Sequence, residues 1–232
     1  MGATEHQFIT PDLLVIRHAF AVMGMPLGKT TVAIRMTNGR VLVHSAGPLD
    51  PSDIAAIHEL GEVQWLMEAN RIHDTFAQDL RAAFPEATYA LPAKFPISPK
   101  ELGPTRPLRE VRGTWSGDLE VMPLRGAPRL QEHVCLHRPS RSLILGDLVF
   151  NLPISPPQRV PLALRVISGL HAFPGTSRLV KWCVKDRAAL QTSINEILAW
   201  DFDRVIFSHG VILDTDAKAV LSKALSWATD AE

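Results

Sequence analysis

Cysteine is scarce in this chain. Cys135 and Cys183 are the only two among 232 residues, too few for a disulfide framework, so free thiols in a reducing compartment are expected. Net charge is missing as well. Lys plus Arg and Asp plus Glu come to 24 each, and a surface without basic excess argues against nucleic acid as the main partner. No apolar run approaches the ~20 residues that a membrane-crossing helix needs, so no membrane partner is expected. The opening residues, Met1-Gly2-Ala3-Thr4-Glu5-His6, have no basic start followed by an apolar core, and no secretory leader is expected there. Internal repeats and low-complexity segments are also lacking, which excludes a solenoid. What is present is an ordinary globular balance, 46% apolar and 21% charged, in a chain long enough for one large core. It reads as a single cytoplasmic domain over residues 1–232.

Local pattern supplies the elements. Residues 30–36 and 41–44 flank Asn38-Gly39, which predicts a hairpin with a type I′ turn, because both turn residues accept positive φ. In Asp50-Pro51-Ser52-Asp53, Asp50 suits a helix N-cap and Pro51 the first helical position, with Gly61 closing the helix. Residues 63–67 read as a buried strand. Residues 74–84 read as a helix with Phe76, Leu80 and Phe84 at four-residue spacing, and residues 87–91 as a short strand. Prolines at 92, 96, 99, 104 and 107 predict an irregular surface connection. Strands are expected over 119–124, 132–136 and 142–145. A second proline-rich stretch, 152–161, reads as a lid or an interaction arm. Then come a helix with Leu190, Ile194, Ile197 and Leu198 on one face, a strand at 205–207 and a closing helix over about 216–228. Hairpins mixed with alternating strands and helices predict a layered α/β sandwich rather than a purely parallel sheet.

Two apolar runs end in metal-capable side chains. His137-Arg138-Pro139-Ser140-Arg141-Ser142-Leu143-Ile144-Leu145-Gly146-Asp147 holds a histidine, a short buried strand and then a carboxylate. Arg204-Val205-Ile206-Phe207-Ser208 leads into His209-Gly210 in the same way. A site along one sheet edge is therefore expected. Imidazole and carboxylate donors suit Zn, Fe or Mn, and a catalytic zinc takes about three protein ligands with one position left open. Plainer readings stand beside this one. A histidine at a strand end commonly bonds to backbone, Asp147 suits a turn cap, and Asp74 suits a helix N-cap. His133, Cys135 and His137 alternate and so share a strand face, where Cys135 reads better as a small buried apolar group. Ser140 lacks the Gly-x-Ser-x-Gly context of an esterase nucleophile, and His44 reads as structural.

In their order and spacing, Ala69-Asn70-Arg71-Ile72-His73-Asp74, residues 137–151, Lys185-Asp186-Arg187 and residues 200–210 resemble the metallo-β-lactamase superfamily. More narrowly they look like a bacterial branch of it with a degenerate metal motif. The resemblance covers about residues 13–227. It implies an αββα four-layer sandwich with metal ligands on loops at one sheet edge. Active members carry His-x-His-x-Asp-His after the early strand. In this chain Asn70, Ile72 and Thr75 stand at the three histidine positions, Asp74 alone is in register, and His73 is displaced by one residue. The later positions match better: His137 the third-motif histidine, Asp147 the bridging carboxylate and His209 the final histidine. The resemblance thus implies at most one Zn, Fe or Mn ion, held by Asp147 and His209 with His137 and with His73 or Asp74. Asp74 is also the catalytic carboxylate it implies. The implied activity is hydrolysis of a small ester, thioester or phosphoester, with a small molecule as the partner. The gaps at Asn70, Ile72 and Thr75 support a second reading, a metal-free relative that keeps the fold as a binding or scaffold module. Geometry separates the two. An enzyme needs Asp147 and His209 to converge on a cavity, whereas a module would lock them in protein hydrogen bonds with no cavity.

Overall fold

The computed structural model describes residues 4–22, 24–153, 166, 168–170 and 172–229. From residue 154 onward the second proline-rich stretch, expected as a lid or arm, lies outside the described residues. In chain order, β1 (Glu5–Thr10), β2 (Leu13–His18), the small hairpin β3 (Ala21–Val22) and β4 (Met25–Pro26), β5 (Lys29–Arg35), β6 (Val41–His44) and β7 (Val63–Met67) come first. β8 (Thr88–Leu91) and β9 (Thr105–Pro107) follow, and β1-β2-β5-β6-β7-β8-β9 is the order across a seven-stranded sheet. A second sheet runs β10 (Leu119–Pro123), β11 (His133–His137), β12 (Ser142–Leu145) and β13 (Arg204–Phe207). No helix among the described residues is long and apolar enough to cross a membrane.

The layering follows from strands that are apolar on both faces, as strands covered on both sides must be. In β2, Leu14 and Ile16 join the apolar cluster beneath α1 (Pro51–Leu60) and α2 (Ala77–Ala83), with Ile57 and Leu80. The alternate residues Leu13 and Val15 face the second sheet and meet Cys135, Ile144 and Ile206. The short helices α3 (Pro99–Leu102), α4 (Leu108–Val111) and α5 (Arg178–Cys183) are followed by the longer α6 (Arg187–Ala199) and α7 (Ala217–Thr229). β12 repeats the rule. Ile144 points between the sheets, while Leu143 and Leu145 pack outward with Ile194 of α6 and Leu221 of α7. The result is helix, sheet, sheet and helix, the αββα sandwich expected.

Local predictions hold where local chemistry decides. Asp50 caps α1 by accepting from the N–H groups of Ser52 and Asp53, Asp53 accepts from the Asp50 N–H in return, and Gly61 follows the last turn. The 30–44 hairpin forms, but its turn is not type I′. Gly39 has φ 78° while Asn38 is not left-handed; the Asn38 side chain instead accepts the Arg40 N–H at 2.9 Å. α2 begins at Ala77, three residues later than expected, and its N-cap residue Phe76 gives no side-chain bond. The proline-rich stretch 92–107 contains α3 and β9. β1 is an addition to the expected elements; it is a sheet edge, largely exposed, and has no buried face to impose a period.

Candidate metal centre

Strand direction builds the site. β12 and β13 pair in parallel, Leu145 opposite Phe207, so their C-terminal ends emerge at the same edge. Asp147 follows one and His209 the other. The neighbouring sheet is stitched to this edge where the Thr30 N–H donates to the Ser208 carbonyl at 2.9 Å. His73 arrives from the turn between β7 and α2. Its Nε2 lies 3.2 Å from Asp147 Oδ1, and His209 Nε2 lies 3.2 Å from the same oxygen. All three residues are buried, with donor atoms within 4.8 Å of one another.

Each donor is held from behind, as metal ligands usually are. Asn70 Nδ2 donates to Asp147 Oδ2 at 2.9 Å, leaving Oδ1 toward the imidazoles. His73 Nδ1 lies 3.1 Å from Ser45 Oγ. His209 Nδ1 lies 2.6 Å from the Gly28 carbonyl oxygen. A carbonyl only accepts, so Nδ1 carries the proton. His209 thereby turns its Nε2 to the Asp147 carboxylate oxygen. Stacking fixes the ring plane: Phe150 lies 5.2 Å from the His209 ring at an 11° tilt. Gly210 is needed after it, because a Cβ at its φ of 114° would sit 1.9 Å from the Asn151 carbonyl oxygen.

A buried carboxylate holds the Asp147 loop. Glu132 accepts from the N–H groups of Gly146, Asp147 and Leu148 at 2.8–3.2 Å. Gly146 lets it approach, since a Cβ there would come within 2.9 Å of the Glu132 carboxyl carbon. Burial and the Asp147 charge push Glu132 up to about 8, against the pull of those N–H groups. Burial also works to raise Asp147, yet His73 and His209 outweigh it and hold that carboxyl well below the usual range. His73 is lowered to about 4, by burial first and then by Lys29. Lys29 itself is lowered by burial, with Glu68 and Asp147 pulling it back up.

The donor set fits one ion. A separation of 3.2 Å is close to the ~3.4 Å edge of a tetrahedron with ~2.1 Å bonds. The triad opens on a cavity of about 270 Å3, whose walls include Phe20, Leu27, Phe76, Phe150 and Val180, with Lys29 the one Lys or Arg among the described lining residues.

Of the five residues expected at the site, the structure brings together His73, Asp147 and His209. It does not bring the other two. His137 pairs with Ser142 across antiparallel β11 and β12, at the end of β12 away from Asp147. Five residues of strand separate the two levels, roughly 15 Å. His137 Nδ1 there meets Ser140 Oγ at 2.7 Å. Asp74 is neither in the triad nor among the cavity walls. Its charge bears on Glu68, and its backbone carbonyl accepts the Ala77 N–H. The turn delivers the displaced His73 where the aligned register points to Asp74. Cys135 lies between the sheets and its thiol is pushed up by burial, which agrees with the apolar reading. Lys29, Ser45 and Glu132 join the site without having been expected there. A lysine at the head of the apolar run 30–34 was the one available signal.

The protonation pattern makes the metal-free protein acid-sensitive. Burial holds His44 at about 3 and His73 and His133 at about 4, below the usual 6.5. Lowered in the fold, these groups contribute fully above pH 6.5, and their contribution is lost as pH falls through the folded values. Glu68 and Glu132 act oppositely. Raised from 4.5 to about 7 and about 8, they contribute fully below pH 4.5 and lose that contribution as pH rises. Burial lowers His18 and His137 as well, so between those limits the unfolded chain gains at least three protons where the folded chain holds two. Stability is therefore expected to fall by at least roughly 1.4 kcal/mol per pH unit from pH 6.5 to 4.5. Denaturant titration of chelated protein measures this; stability that is flat or rising toward acid would contradict neutral buried imidazoles.

No family model matches the chain, and no curated protein matches it in sequence. Solved structures do match. The DIM-1 metallo-beta-lactamase exposed to ceftazidime superposes with a TM-score of 0.65 at 15% identity, over 98% of this chain and 97% of that one. The metallo-beta-lactamase from Pontibacter korlensis gives 0.63 at 12% identity, over 99% and 100%. A metal-soaked flavodiiron core from Synechocystis gives 0.64 at 11% identity, over 97% of this chain and 61% of that one. The class defined by fold and site is thus an αββα protein with a candidate metal triad at the sheet edge. More particularly, the chain has the metallo-β-lactamase fold.

Proposed function

We propose that the protein is a metal-dependent hydrolase with a mononuclear site, acting on a small ester, thioester or phosphoester. The observation that carries this is the convergence of two imidazole Nε2 atoms on one Asp147 oxygen, at 3.2 Å each, in the wall of a cavity. Similarity of fold to metallo-beta-lactamases and to flavodiiron cores supports a metal there and leaves the reaction open. A bound divalent ion would supply Lewis-acid polarisation of a carbonyl or phosphoryl oxygen and acidify water. The chain's own residues do the rest. Gly28, Ser45 and Asn70 orient the three donors. The apolar walls exclude bulk water and receive the body of the substrate. With His137 at the far end of β11 and Asp74 outside the triad, three donors support one ion rather than two.

Metal analysis of protein purified without chelator tests the reading. About one equivalent of Zn, Fe or Mn is expected, and chelation should abolish hydrolysis of chromogenic esters, thioesters or phosphoesters, with metal restoring it. Two imidazoles and a carboxylate also suit Fe(II), so absorption edges of both metals are to be scanned. Protein that carries no stoichiometric metal, and loses nothing on chelation, would instead be the metal-free binding module.

A further inference from the structure

Lys29 stands out in the cavity beside the triad. It is 5% exposed and lines the same cavity as His73, Asp147 and His209. Among the described residues, no acceptor takes a hydrogen bond or ion pair from its ammonium. The acidic groups that act on it are Glu68 and Asp147, and neither is hydrogen-bonded to its ammonium. Glu68 Oε1 accepts from the Tyr89 hydroxyl at 2.5 Å and from the Ala46 N–H at 3.1 Å, while its Oε2 has no hydrogen-bond partner among the described residues. Asp147 faces two imidazoles through Oδ1 and Asn70 through Oδ2. The backbone at Lys29 is pinned on both sides: the Gly28 carbonyl takes the His209 N–H, and the Thr30 N–H goes to Ser208.

A buried ammonium with unspent donors is strongly unfavourable unless a negative partner reaches it. Among the described residues no carboxylate oxygen bonds to it, and the cavity is the open direction. We propose that the ligand of this cavity is a small organic anion whose oxyanion group docks on Lys29, with an apolar body against Phe20, Phe76 and Phe150. This rests on reading the triad's cavity as a ligand site, but not on the metal. The size agrees, because about 270 Å3 lies near the lower end of the ~300–1,000 Å3 typical of ligand pockets. Charge agrees too. A divalent ion would offset Asp147, so that the cavity around Lys29 turns net positive.

The test uses hexanoate, hexyl phosphate and the neutral hexanamide, titrated by calorimetry into metal-replete and chelated protein. One or both anions should bind at least about tenfold tighter than the amide, the scale of one charged hydrogen bond. Which anion prevails separates a carboxylate from a phosphate ligand. Lys29→Met should erase the preference while leaving hexanamide binding unchanged, and Lys29→Arg should retain part of it. Lys29→Gln gives the same comparison if the Met variant does not fold. Equal affinities in the wild type, or a preference that survives Lys29→Met, overturn the inference. Should the wild type hold no metal and still lose its preference with Lys29, the hydrolase reading falls and this one stands.

Discussion

Replacing Asp147 by Ala is expected to leave the protein without bound metal. Asp147 is the only anion of the triad, and both imidazoles converge on its Oδ1. Its other oxygen is held by Asn70, so its orientation is set before any ion arrives. Losing an outer partner of a metal ligand typically lowers affinity about 10–100-fold. Asn70→Ala should fall in that range, while Asp147→Ala, which removes a ligand and the compensating charge together, should exceed it. Elemental analysis and competition against a chromophoric chelator measure both. An Asp147→Ala protein that keeps a full equivalent of metal would show that the triad is not the site.

Glu132→Ala is expected to give the largest loss of stability of any single change near the site. Three consecutive N–H groups, from Gly146 to Leu148, all donate to this one carboxylate in a buried setting. An unsatisfied buried donor costs about 1–3 kcal/mol, so for three of them about 3–9 kcal/mol is at stake. At roughly 2–4 °C per kcal/mol for a chain of this size, the melting temperature should drop by about 6 °C or more. The melt belongs on chelated protein, so that ligand linkage does not enter. A fall under about 3 °C would mean that the loop finds other acceptors. With the loop unsupported, Asp147 should lose its aim, and metal affinity should weaken in the same variant.

The two variants also mark how far the site could be read in advance. Asp147 and His209 were legible because each follows a short apolar run that reads as a buried strand. Asn70 was legible as a gap at a histidine position, yet its use was not. It holds the Asp147 carboxylate from 77 residues away in sequence, a contact with no local trace. Glu132 looked like the start of a strand, and only the fold turns its side chain under the Gly146 loop. His73 and Asp74 are adjacent, and aligned register pointed to Asp74. A single residue of displacement in the turn redirects the side chain, and turn geometry is set by what packs around it.

By itself the sequence determined what short-range chemistry determines. The capped start of α1, the hairpin at Gly39, the doubly buried strands and the order of elements that makes an αββα sandwich all follow from residues close together in the chain. Tertiary structure alone decided which ligand-capable side chains meet. β12 and β13 run parallel, so Asp147 and His209 emerge at one edge. β11 runs antiparallel to β12, so His137 ends at the other. Strand direction belongs to the pairing and not to either strand, and a buried lysine gains its meaning only from the charges and cavity that the finished fold places around it.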